Sequence, residues 1–200
     1  MGEKYGGKTS KDNDMIKESN LTYDDYASID DGNRYELVNG QLELMSPAPA
    51  VTHQLISHQM QKIITHSCES DYFILYAPVD VILSSKEVRQ PDLVLLHRSR
   101  IDILRNRGIE GAPDLVVEIL SPSTLKRDKI DKLKTYARYK IPEYWIVEPA
   151  SGMLEQYTLQ DEQYTIFNVF QHNDNVSSPN VSCISFTMEE IMNNIPDIKN

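Results

Sequence analysis

Two carboxylates carry the most specific chemistry in this sequence. Asp92, in "RQPDLVLL", opens one apolar run, and Glu118, in "PDLVVEIL", lies deep inside the next. Side chains on an extended strand alternate faces, so Asp114, Val116 and Glu118 point one way and Leu115, Val117 and Ile119 the other. An isolated ionised Glu in such a run is costly and needs a cation, a metal or a raised pKa. If the two runs are neighbouring strands, Asp92 stands roughly 5 Å from Glu118, the usual strand separation. Carboxylates that close repel, and a hard divalent cation held by oxygen ligands is the common remedy. The letters PDLV occur twice, with Asp92 and Asp114 separated by 22 positions. Asp114 stands about 13 Å from Glu118 at strand rise, too far to share one ion, so its Pro-Asp reads as a strand-entry signal. A structural salt bridge to Glu118 is the bland alternative.

Stepping outward, these residues need strands and helices to hold them. Residues 1–20 are polar and lack hydrophobic period, the composition of a disordered leader, which leaves 21–200 as a single domain with a core of about 35–150. "TYDDYASI" opens with Thr22 three residues before Asp25, a capping-box arrangement, although Glu or Gln normally closes that box. "RYELVNGQLELM" sets Asn39-Gly40 between two alternating runs and predicts a hairpin. Leu55, Ile56, Met60, Ile63 and Ile64 recur at helical spacing and give a first core helix. "YFILYAPVDVILS", "PDLVLLH" and "PDLVVEIL" read as three strands covered on both faces. A second helix over Lys129 to Tyr139, with Ile130, Leu133 and Ala137 on one face, precedes the buried strand "EYWIVEP". Trp145 in that strand reads as core. Residues 151–200 read as an accessory hairpin and a small closing helix.

The composition excludes several classes. A formal charge of −10 argues against a protein that coats nucleic acid non-specifically, yet Leu125 to Lys140 holds seven basic residues against two acidic, a local positive patch. No apolar run reaches the ~20 residues of a membrane span, and the amino terminus lacks a secretory h-region, so a cytoplasmic protein without a membrane is expected. Cys68 and Cys183, far apart and without metal-like spacing, read as reduced structural thiols. The histidines form no His-Glu-x-x-His, and no phosphate-binding glycine loop is present, so zinc hydrolysis and nucleotide cofactors are disfavoured.

The order helix, strand, Pro-Asp strand, Glu strand, helix, strand resembles the PD-(D/E)XK nuclease superfamily. More closely, "YELVNGQLELMSPAP", the following His53, "RQPDLVLL", "PDLVVEILSPST", "RDKIDKLKTYA" and "IPEYWIVEP" resemble the Uma-type family labelled as restriction endonucleases. The resemblance implies an α/β (α+β) fold with a restriction-endonuclease-like core: a central mixed sheet flanked by helices, an N-terminal hairpin and a C-terminal β extension. It implies a DNA endonuclease in which Asp92 and Glu118 hold Mg²⁺, with Mn²⁺ able to substitute, and a lysine assists. The superfamily pattern sets that lysine two residues after Glu, where this chain has Leu120. The Uma-type pattern instead has a lysine four residues before a Tyr on the next helix, which maps onto Lys132 and Tyr136. A helical wheel turns Lys132 away from the Ile130, Leu133, Ala137 stripe and keeps Lys134 as a substitute. Glu36 is a further carboxylate near the ion, and His53 would orient water or contact phosphate; a structural role for either is equally consistent with the sequence. Double-strand cleavage needs two sites, so a homodimer is expected. The competing expectation is a catalytically silent nuclease-fold module for DNA binding or protein association, which the acidic charge and the displaced lysine favour.

Overall fold

The computed structural model describes residues 20–46 and 48–198, so the expected leader lies almost wholly outside the described residues. Helix α1 (Tyr23–Ala27) is followed by β1 (Tyr35–Val38), β2 (Gln41–Leu44) and α2 (Val51–Cys68). Strands β3 (Tyr72–Tyr76), β4 (Val81–Ser84), β5 (Glu87–Arg89) and β6 (Leu93–His97) come next. A 3-10 segment at Arg98–Ile103 leads to the short β7 (Leu104–Arg105) and β8 (Gly108–Glu110). After β9 (Leu115–Ile119) the chain turns helical, π-type over Arg127–Lys132 and regular in α3 (Leu133–Arg138). It ends with β10 (Glu143–Glu148), β11 (Met153–Gln160), β12 (Gln163–Phe170), β13 (Asn175–Ser177), β14 (Ser185–Thr187) and α4 (Met188–Met192).

Local chemistry explains the entry elements. Thr22 caps α1 and Asp25 closes the box, the shorter acid reaching back to the Thr22 amide at 2.7 Å. Asn39 and Gly40 have φ of 49° and 76°, both positive as a tight two-residue hairpin turn requires, and they join β1 to β2.

The central sheet has the order β12-β11-β10-β9-β6-β3 and is mixed: β9 and β10 are parallel, and every other neighbouring pair is antiparallel. A parallel pair needs a crossover, and the helical segment ending in α3 provides it. The expected C-terminal extension is β11 and β12, which continue this sheet. Alternation along β9 separates two cores. Leu115, Val117 and Ile119 join α2 and the C-terminal segment around Trp145, whereas Val116 packs with Val94, Leu96, Tyr136, Tyr144 and Ile146 beneath the crossover.

Four expectations need correction. The run "YFILYAPVDVILS" is two strands: it divides at Pro78, which has no N–H for a ladder, and β4 joins a second six-stranded sheet, β2-β1-β5-β4-β8-β7. Strand β3 is a half-exposed edge, not a strand covered on both faces. The second helix is rolled relative to the expected stripe, since Ile130 is 44% exposed while Thr135, Tyr136 and Ala137 are buried. Finally, Cys68 and Cys183 form a disulfide with Cα atoms 5.3 Å apart. Their 115-residue separation hid the fact that the end of α2 packs against the segment leading to β14.

Candidate active site

The register of β6 against β9 pairs Leu93 with Val117, so one further step sets Asp92 beside Glu118. Asp92 Oδ2 accepts the Ile119 amide at 2.7 Å, which ties the start of one strand to the end of the other. The same oxygen meets His53 Nε2 at 3.1 Å, delivered by the first turn of α2. Burial pushes the His53 imidazole toward neutrality, but its hydrogen bond to Asp92 and that carboxylate's charge outweigh burial and raise its pKa.

Glu118 points to the crossover side. Its Oε1 accepts from Lys132 Nζ at 2.6 Å and from the Tyr136 hydroxyl at 2.9 Å. Lys132, 2% exposed, also lies 3.3 Å from Glu36 Oε1 and 3.5 Å from Asp128 Oδ1. One ammonium thus serves three carboxylates. Burial would lower the Lys132 pKa, but those three charges raise it and keep the ammonium protonated. Glu36 is the best compensated acid: burial raises its pKa, yet Lys132, Arg89 and the Gln90 amide together bring it to about 2. Glu118 is left short. Burial lifts its pKa well above the carboxylate range, Lys132 opposes, and the charges of Asp128, Asp92 and Glu36 add to the rise.

Behind Glu36 the network continues into the second sheet. Arg89, 1% exposed, reaches Glu36 at 3.2 Å, Glu87 at 2.8 Å and Thr135 at 3.3 Å. Anions and cations therefore alternate from Glu87 through Arg89, Glu36 and Lys132 to Glu118, where the chain of charges meets a cleft of about 630 Å³. Asp92, Glu118, Lys132, His53, Gln90, Arg127 and Asp128 line that cleft, with the hydroxyls of Ser121 and Thr124 at its rim.

Asp92, Glu118, Lys132 and His53 are therefore brought together. Tyr136 and Glu36 stand one layer behind, and Glu36, with 0% exposure and both oxygens engaged, does not reach the cleft. Lys134 is exposed and takes no part. Asp114 is also apart: it accepts the His97 amide at 2.6 Å and pairs with Arg100 at 2.7 Å. Sequence reasoning missed Asp128, Arg127 and Arg89. Asp128 stands four residues before Lys132, so the neighbour rule that paired Lys132 with Tyr136 points equally to Asp128.

The donor set suits a hard cation. Asp92 Oδ1 and Glu118 Oε2 have no hydrogen-bond partner among the described residues, and burial first, then the neighbouring acids, raise the Glu118 pKa. Among those residues no three acidic, imidazole or thiol groups converge into a complete metal cage. That is compatible with magnesium, which commonly takes one or two carboxylates and keeps several waters.

Residues 22–189 match the model of the Uma2 family, described as "Putative restriction endonuclease". The chain belongs to the Uma2 family. This Uma2 chain has a TM-score of 0.71 to a solved "putative nuclease belonging to DUF820" from Anabaena variabilis, at 18% identity over 88% of this chain and 99% of that one. That likeness shows a shared fold. It also aligns with the type IIG restriction endonuclease BpuSI at a TM-score of 0.41 and 12% identity, covering 76% of this chain and 17% of that one. No curated protein matches the Uma2 chain. Among its described residues no helix is long and apolar enough to cross a membrane.

Proposed function

We propose that this chain is a Mg²⁺-dependent DNA endonuclease with a PD-(D/E)XK-type site whose lysine has moved onto the crossover helix. The observation that carries the reading is Lys132 Nζ at 2.6 Å from Glu118, on a strand beside the one Asp92 opens, at the floor of a cleft. Asp92 and Glu118 would hold the ion, and Mn²⁺ would replace it. A divalent ion held by these two carboxylates would supply Lewis-acid chemistry, lowering the pKa of a bound water and polarising a phosphoryl oxygen. Lys132, held cationic by its three carboxylates, stabilises the negative charge that develops on the phosphate as water attacks. Tyr136 fixes the Glu118 carboxylate by donating to Oε1, and His53 fixes Asp92 from the other side. The substrate is DNA, and double-strand cleavage would use two copies of the chain.

A silent nuclease-fold module is the second reading, favoured by the close Lys132–Glu118 contact, which would also serve a purely structural pair. Calorimetric titration of Mn²⁺ into wild type and Asp92→Ala, alongside nicking of supercoiled plasmid, separates the two. Saturable binding and nicking, both lost in the variant, support the endonuclease. Identical titrations of the two proteins would leave only the silent module.

A further inference from the structure

Arg127 lines the cleft with no counterpart. Among the described residues its guanidinium makes no ion pair and no side-chain hydrogen bond, and its Nε is buried without a partner. Arg89 is occupied by Glu36 and Glu87, Lys132 by three carboxylates and Lys129 by Glu155 at 2.8 Å, while Arg34, which also lines the cleft, is exposed and donates to Gln90 Oε1. Buried donors left unpaired cost free energy and call for a reason. Here the unpaired groups concentrate. Among the described residues five buried side-chain atoms have no hydrogen-bond partner, and three of them, Arg127 Nε, His53 Nδ1 and Asp128 Oδ1, belong to residues lining this one cleft, the last with only the 3.5 Å ion pair to Lys132.

The backbone accounts for the placement. The helix is π-type from Arg127 to Lys132, and an i→i+5 repeat brings residues five apart onto one side. Arg127 and Lys132 are five apart. The turn thus presents two cations, Arg127 and Lys132, to the same cleft.

We propose that Arg127 grips the non-bridging oxygens of a nucleic-acid phosphodiester in this cleft; the inference rests on the endonuclease reading above. A guanidinium offers two parallel N–H groups matched to a phosphate, whereas the Lys132 ammonium, held among its carboxylates, is a point charge that acts on the developing charge. Glu36, Glu87, Asp92, Glu118 and Asp128 outnumber Arg34, Arg89, Arg127 and Lys132 around the site, so phosphate is admitted when a divalent cation offsets that charge. Arg127 then supplies grip and orientation, and its contribution is to binding.

The test is equilibrium binding of a labelled short DNA duplex to the full chain over a range of salt, in Ca²⁺ and in EDTA. In Ca²⁺, Arg127→Ala is expected to weaken binding at least tenfold and to reduce the slope of log K against log salt by about one, the signature of one lost phosphate contact. Arg127→Lys recovers part of the affinity, and Lys126→Ala, an exposed neighbour, changes it less than twofold. In EDTA the Arg127 variants and wild type bind equally weakly. Should Arg127→Ala melt below the assay temperature, Arg127→Lys carries the comparison, intermediate affinity being the expected result. Wild-type affinity and slope in the Arg127 variants, with wild type still binding and nicking DNA, overturn the inference and leave the endonuclease standing. Equal losses in Arg127→Ala and Lys126→Ala overturn it as well, since general surface charge then explains both. A wild type that neither binds duplex in Ca²⁺ nor nicks plasmid in Mg²⁺ removes both readings together.

Discussion

Glu118 and Glu143 are buried carboxylates on neighbouring parallel strands of one sheet, and they face opposite ways. Glu143, at 0% exposure, accepts from Trp145 Nε1 at 2.6 Å, Gln156 Nε2 at 2.5 Å, the Ser178 hydroxyl at 2.6 Å and Asn180 Nδ2 at 3.0 Å. All four donors are neutral, both oxygens are used, and the effect is to fasten the segment after β13 to the sheet. Glu118 instead has one oxygen crowded by a cation and a phenol and the other unengaged beside further acids. A satisfied buried carboxylate is architecture; an under-satisfied one at the wall of a cleft is available for chemistry. Burial alone does not distinguish them.

Substitution should separate the pair. Asp92→Asn and Glu118→Gln are expected to abolish metal-dependent nicking of supercoiled DNA while the melting temperature in EDTA stays level or rises, because each removes like-charge repulsion from the site. A large loss of folding stability in either would make Glu118 as architectural as Glu143. Lys132→Ala should slow single-turnover cleavage by on the order of 10² to 10³. It should also cost about 3–5 kcal/mol in denaturant titrations, since it strands three buried acids; Lys134→Ala should do neither, and inactivity of Lys134→Ala would move the role to that residue. Glu143→Ala reverses the pattern: unfolding free energy drops by about 3 kcal/mol as its donors lose their acceptor, and calorimetric Mn²⁺ affinity is unchanged. A weakened Mn²⁺ isotherm there would contradict the division.

The acids near the cleft also titrate with opposite signs. Glu36, lowered to about 2, contributes stability that is present above the ordinary carboxylate pKa and is lost as pH falls toward 2. Glu118, raised, contributes stability below that value and loses it as pH climbs through its folded pKa, where the proton leaves and cation affinity grows. Mn²⁺ affinity is therefore expected to rise with pH while metal-free stability declines, and Glu118→Gln should flatten both trends; parallel slopes in wild type and variant would refute the assignment. The smallest effect is that of Asp114→Asn, which should leave cleavage within a few-fold of wild type, because Asp114 serves the His97 amide and Arg100.

Much of this was legible in the residues. Alternation in "DLVVE" separated the two faces of β9, and strand rise distinguished Asp92 from Asp114. The helical wheel misplaced Lys132 because it assumed a uniform 100° step, and the π turn over Arg127–Lys132 breaks that step just where the site lies. Asp128, Arg127 and Arg89 escaped notice for a related reason. Charged residues in "RQPD" and "KRDKIDK" look like solvated surface until tertiary contacts bury them. The second sheet was hidden in short strands, β5, β7 and β8, of two or three residues each, too brief to show a period.

The bond between Cys68 and Cys183 draws a covalent ring through the molecule, with Asp92, Glu118 and Lys132 on the ring and Glu36 and His53 on the arm that enters it. A closure of roughly 100 residues is worth about 4.7 kcal/mol in the chain-entropy account. The exposed stretch at residues 105–107 lies on the ring as well. A protease that severs it therefore opens the circle without parting it, and the two pieces migrate as one species until a thiol reductant lets them go.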